Sequence, residues 1–372
     1  MSRITMLRDR IKNGRPSRHL PAVGLFQAAG NRALIEFSPL REGTFAANGL
    51  LSDGSESLFR YQTTSTAPVF RYSFNDVMFD PELTMFSSHG APIRDVLYTQ
   101  PPAVLDLFCA HEDRPIESCD QTAWAGFDHW NTNFYHWVAH TLPAIRHFLK
   151  AAGPDDVFLL PALTPWQTES IELMGLARKH WKITHAGTRY RFPRVIYTDF
   201  IRGRTDFTAS ETAVETSHML RHAAGCVSRP GSRLLFIERG EAANRKIPNE
   251  AELASGLKQI GFECIRPETL SVREQIRLFS EARMVIGFLG AGMTNISWCP
   301  PASVVYELVP SHHQNPCFLP IAVRNRLYYW ADLIETGVTQ EDHTSQAVLP
   351  VNAGRIVAHA QELLDFSRTV CG

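Results

Sequence analysis

The stretch MVIGFLGAGMTNISWCPPASVVYELVP (Met284–Pro310) decides the fold of its half of the chain. Met284–Ile286 is apolar and short, as a buried parallel strand requires. Gly290-Ala291-Gly292 follows, a turn with almost no side chain, over which a ligand can approach the backbone closely. Thr294 and Asn295 open a short helix or lie in its first turn, where N–H groups and a dipole favour an anion. Pro300-Pro301 ends that helix. Ser303–Val309 is a second apolar run in which Glu307 is the one charge. A carboxylate there is costly unless it is paired or stands at the strand's mouth. Amides for a diphosphate and a carboxylate for ribose hydroxyls would suit a nucleotide. An ordinary βαβ turn with Glu307 in an ion pair reads the same residues equally well.

The chain has 372 residues, enough for two domains. With 44% hydrophobic and 20% charged residues it is globular in composition. A net charge of −1 gives no bulk attraction to nucleic acid or to an anionic membrane. The 7 cysteines are scattered without a CxxC pair. Free buried thiols in a reducing compartment are expected. Residues 1–14 are basic and lack an apolar h-region, so no signal peptide is expected. No run approaches the ~20 apolar residues of a membrane span. The expected location is cytoplasmic. A peripheral contact with the inner face of the cell membrane stays open through a basic arm over residues 1–20 (Arg3, Arg8, Arg10, Lys12, Arg15, Arg18).

Residues 21–120 carry short apolar pieces, of which 33–37, 69–72, 94–99 and 104–109 read as strands. A helix is expected over 133–151, kinked by Pro143. Strands at 122–126, 157–160 and 195–197 alternate with helices at 165–174 and 211–223, which argues for an α/β layer. Ser228–Ser232 reads as a domain linker. A second series follows, with strands at 234–237 and 262–265 and helices at 250–260 and 271–282. Asn249 with Glu252, and Ser271 with Glu274, read as capping boxes. A last strand is expected within 324–330 and a closing helix over 352–366. In a doubly wound sheet, ligands sit beyond the carboxyl ends of the strands, where Arg239, Glu268, Gly290 and Pro310 would gather.

Three groups carry candidate chemistry. Arg239, Arg245 and Lys246 follow one strand and could clamp phosphate beside Gly290–Gly292 without a metal. The second group is Trp124, Asp128, His129, Trp130, Asn131, Tyr135, His136, Trp137 and His140. Histidines one helical turn apart can bind zinc, but no HExxH glutamate or nearby cysteine accompanies them. A general base beside aromatic sugar platforms fits better, against the plainer reading of a buried core. Glu307 is the third. Walker A, kinase, GxSxG and GxGxxG signatures are absent, and Asp155-Asp156 precedes a strand rather than forming a DxD.

Several strings together resemble glycosyltransferase family 61. They are Asn133-Phe-Tyr-His-Trp137 with Thr141-Leu-Pro143, Phe236-Ile-Glu-Arg239, Asn244-Arg-Lys-Ile247, Asn249-Glu250, Leu270-Ser271 with Glu274-Gln275, and Val285-Ile-Gly287 with Gly290-Ala-Gly-Met-Thr-Asn295 and Pro301. The resemblance spans roughly 122–310. It implies a GT-B fold: an acceptor-side α/β domain over 21–227, a nucleotide-sugar domain over 228–345, and a segment 346–372 whose helix returns to the first domain. It implies an inverting hexosyl or pentosyl transfer from a UDP-sugar to a glycan or lipid-linked glycan, as in capsular polysaccharide synthesis, with no cofactor and no metal. Carried over by position, Arg239, Arg245, Lys246, Gly290, Ala291, Gly292, Thr294 and Asn295 hold the diphosphate, and Glu307 the ribose. His136, His140 or Asp128 is the base, and Trp130, Tyr135 and Trp137 face the acceptor. Two positions depart from the family's pattern: His140 stands where an acidic residue is usual, and Leu289 where a histidine is usual. A non-catalytic sugar-nucleotide binder, or a transferase or epimerase using another nucleotide, are the rival readings.

Overall fold

The computed structural model describes residues 22–96, 103–200, 210–227, 229–240, 244–339 and 345–370. The basic arm lies outside them. The chain divides into two compact units, one of residues 1–37 and 67–206, the other of 38–66 and 207–372.

The break differs from the one expected at Ser228–Ser232. Gly231 packs so closely on strand Ala282–Phe288 that a Cβ would lie 2.0 Å from the carbonyl oxygen of Ala282. Ser232 and Arg233 both donate from their backbone to the carbonyl of Glu281, at 2.8 and 2.9 Å. Residues 231–233 are thus the packed entrance to a strand, while Ser228 lies outside the described residues. Helix Glu211–Ala223, capped by the Ser210 side chain, accordingly belongs with the second unit.

The second unit is built on five parallel strands in the order Glu263–Ile265, Arg233–Ile237, Ala282–Phe288, Val304–Pro310, Tyr328–Ile334. Numbered along the chain this is 2-1-3-4-5, a doubly wound order. The strands are near-continuous Val, Ile, Leu and Phe because helices cover both faces of the sheet. The order reverses between Arg233–Ile237 and Ala282–Phe288, which opens a crevice beyond their carboxyl ends. Helix Val272–Phe279 carries the Ser271–Glu274 capping box that was expected. The other expected box does not form: Asn249 makes no side-chain cap, and instead clasps the backbone N–H and carbonyl of Val351 at 2.9 Å each.

The closing helix Ala353–Val370 sets Ile356, Ala360, Leu363 and Leu364 into the core of this same unit, beside Leu253 and Leu257. The expectation that it returns to the first domain gives way to this packing. His359 fixes its place. Nδ1 bonds Asp332 at 2.8 Å and Nε2 bonds Asp53 at 3.0 Å. Asp332 also accepts from Tyr306 Oη at 2.6 Å and Trp330 Nε1 at 2.9 Å. An imidazole that bonds a carboxylate through each nitrogen must donate from both, so it is the cation. Burial alone would lower the His359 pKa; the bonds to Asp332 and Asp53 outweigh it and raise it above 6.5.

The first unit holds a mixed sheet in the order Ala91–Pro92, Met85–Ser88, Thr63–Asp80, Arg189–Thr198, Thr122–Ala125, Val157–Leu160, Trp181–Ile183. Pairing is antiparallel up to Arg189–Thr198 and parallel from there on. The expected strands at 33–37 and 69–72 lie within Asn31–Glu42 and Thr63–Asp80. Residues 104–109 are helical instead, within Ala103–Ala110, and 94–96 form a single 3₁₀ turn. A short apolar run has no period of its own to separate strand from helix, and packing decided it. The helix expected over 133–151 is present, but Trp137–Thr141 is wound as a π turn between α-helical segments. Pro143 explains it: proline lacks an N–H and its ring crowds the carbonyl four residues back, and a wider turn absorbs both.

His359→Leu should cost about 3–5 kcal/mol in chemical denaturation at pH 6, the usual cost of breaking a buried pair by removing one partner. A raised pKa means the stabilisation is whole below pH 6.5 and fades as pH rises through the folded value. The difference between wild type and variant should therefore shrink from pH 6 to pH 9.

Candidate functional site

The crevice at the switch point is where the Arg239 and Gly290 segments meet. Arg239 follows strand Arg233–Ile237, and Gly290 follows Ala282–Phe288. Glu250, the first residue of helix Glu250–Gln259, accepts from the backbone N–H of Arg239 and Gly240 at 2.5 and 3.1 Å. That bond aims the side chain. The guanidinium donates to the carbonyl of Asn244 and lies against Gly290, where a Cβ would stand 2.1 Å from Nη1. Gly290 has extended backbone (φ 174°), so the requirement for glycine here is space, not conformation.

Arg245 joins from the next loop. Its backbone is left-handed (φ 58°), and its Nε donates to the carbonyl of Leu289 at 3.0 Å. Both guanidinium groups thus converge on one turn. Burial and, second to it, the neighbouring Arg245 bring the Arg239 pKa down to about 10 against the opposing pull of Glu250 and Glu268. Burial also lowers that of Arg245. Two crowded, half-buried cations are an arrangement that a bound dianion would relieve. Space enclosed behind Arg245, among Phe288, Leu289, Pro310 and His312, is about 10 Å³, room for about one water molecule. A larger cavity of about 490 Å³ lies along Arg233, Arg266, Thr269, Glu274, Arg277 and Glu281 and touches none of the candidate residues. Its charges are partly spent on one another, as in Arg233 with Glu263 and Glu281.

Beyond the turn, the expectations divide. Ala291 and Gly292 begin the 3₁₀ helix Ala291–Trp298 at the crevice. Lys246 is half-buried in the Arg245 loop, its carbonyl bonded to Ala347 N at 3.0 Å. Thr294 and Asn295 are fully buried. Asn295 is spent on structure: its amide donates to Gly292 O at 3.0 Å and accepts from Trp298 Nε1 at 3.0 Å. Thr294 Oγ1 has no hydrogen-bond partner among the described residues.

Glu307 does not stand at a strand's mouth. It is fully buried in mid-strand beside Gly287 and Ala331, and takes a hydrogen bond from Tyr329 Oη on Oε2. Oε1 has no partner among the described residues. Burial raises its pKa to about 8, only partly offset by Tyr329, so at neutral pH it is a carboxylic acid. A ribose cannot reach it where it lies, and among the described residues it forms no ion pair either.

The second cluster lies in the first unit, beyond the carboxyl end of strand Thr122–Ala125. Asp128 is almost wholly buried. Oδ2 bonds Nδ1 of His136 at 2.9 Å, and Oδ1 accepts from the N–H of Trp130 at 2.8 Å. Burial pushes its pKa up, but the bond from His136 and the nearby imidazoles of His136, His140 and His129 win, and it stays below the usual carboxylate range. The His140 ring lies 5.4 Å from that of His136, nearly perpendicular to it. One ligand atom from each of Asp128, His136 and His140 lies within 4.8 Å of the others. Asp128 therefore joins the histidines as an orienting group. Bonding at Nδ1 leaves Nε2 of His136 as the basic nitrogen of that tautomer.

Of the three expected aromatic platforms, Trp130 is 39% exposed and stacks on His136 at 6.4 Å. Tyr135 is buried against both histidines. Trp137 is core, its Nε1 donating to Ser170 Oγ at 2.8 Å. Two contributors went unread in the sequence. Gln167, fully buried, donates to the carbonyl of Asn131 and holds the Asp128 loop. Glu250 aims Arg239 from eleven positions along the chain. Neither pairing carries a local spacing signal.

Residues 134–306 match the family model described as Glycosyltransferase 61. No curated protein matches the chain.

Glu307→Gln tests the buried acid. Its folded pKa of about 8 exceeds the ordinary 4.5, so folding retains a proton that the unfolded chain loses. Wild-type stability should fall from pH 4.5 to 8 by an amount on the order of several kcal/mol. The glutamine variant, measured by urea denaturation, should lack that component.

Proposed function

We propose, on the premise that residues 134–306 place this chain in glycosyltransferase family 61, that it transfers a sugar from a UDP-sugar to a hydroxyl of a glycan with inversion. Membership by itself gives a glycosyltransferase, with a sugar donor and a glycan acceptor in general terms. The finer reading rests above all on the convergence of Arg239 and Arg245 on the Gly290 turn at the switch point of the sheet.

In this reading the diphosphate of the donor lies on the outer side of the two guanidinium groups and at the start of the Ala291–Trp298 helix. His136, held by Asp128, takes the proton of the acceptor hydroxyl on Nε2. The oxygen forms a bond to the anomeric carbon from the face opposite the diphosphate. The bond from that carbon to the phosphate oxygen breaks, and UDP leaves with the electron pair. Arg239 and Arg245 stabilise the charge that develops on it, as fixed cations do without reorganising during the step. No step uses a metal. Trp130, stacked on His136, offers its outer surface to a sugar ring. The GT-B arrangement, the cytoplasmic location with an optional contact at the inner membrane face, and a role in capsular or similar polysaccharide synthesis belong to the same proposal. No helix among the described residues is long and apolar enough to cross a membrane. Cys119, Cys226, Cys264, Cys299 and Cys317 are free thiols, which suits a reducing compartment.

One observation favours a binder without turnover. Leu289 is buried, its N–H bonded to Leu308 O at 3.0 Å and its carbonyl to Arg245, so its side chain brings no donor to the phosphates.

Arg239→Ala should weaken UDP binding about 10–100-fold in calorimetry, the worth of a charge-assisted contact; unchanged affinity removes the clamp. His136→Ala should bind UDP as wild type does but release UDP from UDP-sugars with an acceptor panel about 10²–10⁴-fold more slowly. A wild type that binds UDP and releases none with any acceptor would establish the binder instead.

A further inference from the structure

The cluster Asp128, His136 and His140 also has the composition of a metal site. Two imidazoles and a carboxylate are drawn from a strand-end loop and one helix, and all three residues are buried. Metal–ligand bonds of about 2.0–2.2 Å put ligand atoms roughly 3–3.5 Å apart. Asp128 Oδ2 and His136 Nδ1, at 2.9 Å, already span such an edge. The greatest separation permitted among the three ligand atoms is 4.8 Å, so at most about 1.8 Å remains to be closed by side-chain torsion. A Cys-free set of imidazole and carboxylate suits zinc or cobalt, and offers too few oxygens for magnesium or calcium.

We propose that Asp128, His136 and His140 bind one divalent transition-metal ion of the zinc class, and that its occupancy switches off the base. The second half rests on the role given to His136 above. An ion on Nδ1 takes the lone pair there, so the neutral ring carries its proton on Nε2. That nitrogen then has no lone pair to accept the proton of an acceptor hydroxyl. The carboxylate that oriented the base is turned to the ion in the same event. Nothing is oxidised or reduced, and the only proton moved goes from Nδ1 to Nε2 by way of solvent. The site is thus inhibitory, and the transfer itself still proceeds without metal.

Full-length protein stripped with chelator would be titrated with Zn²⁺ by calorimetry and with Co²⁺ by visible absorption, with Mg²⁺ as the comparison ion. One Zn²⁺ or Co²⁺ per chain is expected, and no Mg²⁺. His140→Ala and Asp128→Asn should each weaken binding by more than the about 10–100-fold that loss of a mere supporting partner costs. His140→Gln, closer in volume, replaces the alanine variant if circular dichroism shows that one unfolded. No binding, or binding that both variants leave intact, overturns the site. Wild-type UDP release should fall as Zn²⁺ fills the site and return with chelator; release that persists at full occupancy overturns the switch. A failure of the base reading shows differently: metal-free His136→Ala would then release UDP as fast as wild type, whatever the metal titration gives.

Discussion

The close approach of the Arg239 guanidinium to the backbone at Gly290 is the contact around which the second unit's candidate site is built. It needs strands one and three of a 2-1-3-4-5 sheet to be neighbours. It needs Glu250 to hold the backbone at Arg239, and it needs a residue without Cβ at position 290. With those in place, a second cation on the Leu289 carbonyl leaves two positive groups crowded at one turn. Like charges that close disfavour one another, and in the proposed reading the diphosphate of the donor offsets that repulsion.

Carboxylates in the two units show how environment sets role. Among the described residues Glu307 has one hydroxyl donor and no paired cation, and burial leaves it protonated near neutral pH. Asp332 is buried too, but His359, Tyr306 and Trp330 all donate to it, and it stays charged. Asp128 resembles Asp332: hydrogen bonds to the ionised form outweigh the loss of solvent. Glu307 is then a hidden acid in the strand behind the Gly290 turn, Asp332 a clamp for the closing helix, and Asp128 the orienting group of an imidazole.

The π turn at Trp137–Thr141 links local strain to the first unit's chemistry. Pro143 forces a wider turn just where His136 and His140 are set. The two rings remain on one side of the helix, 5.4 Å apart, with Asp128 arriving from the preceding loop. The kink that Pro143 announces in the sequence is the device that presents both histidines to one carboxylate.

Much of this was open to reading from the chain alone. Apolar runs of five to seven residues between capped helices specify buried parallel strands, and the Ser271–Glu274 box and the Gly290–Gly292 turn are local signals of short range. So are the helical spacing of His136 and His140 and the placement of Arg239 after a strand. What the sequence could not settle is every matter of partner and depth. Whether Glu307 lies at a strand's mouth or in its middle turns on register against neighbours some twenty residues away in the chain, Gly287 and Ala331. Whether Asn249 caps a helix or clasps Val351, and which core receives the closing helix, are contests between local and distant hydrogen bonds and packing. Propensity and period act over one or two turns of chain, whereas burial and pairing are set by residues a hundred positions apart, and only the folded arrangement brings those together.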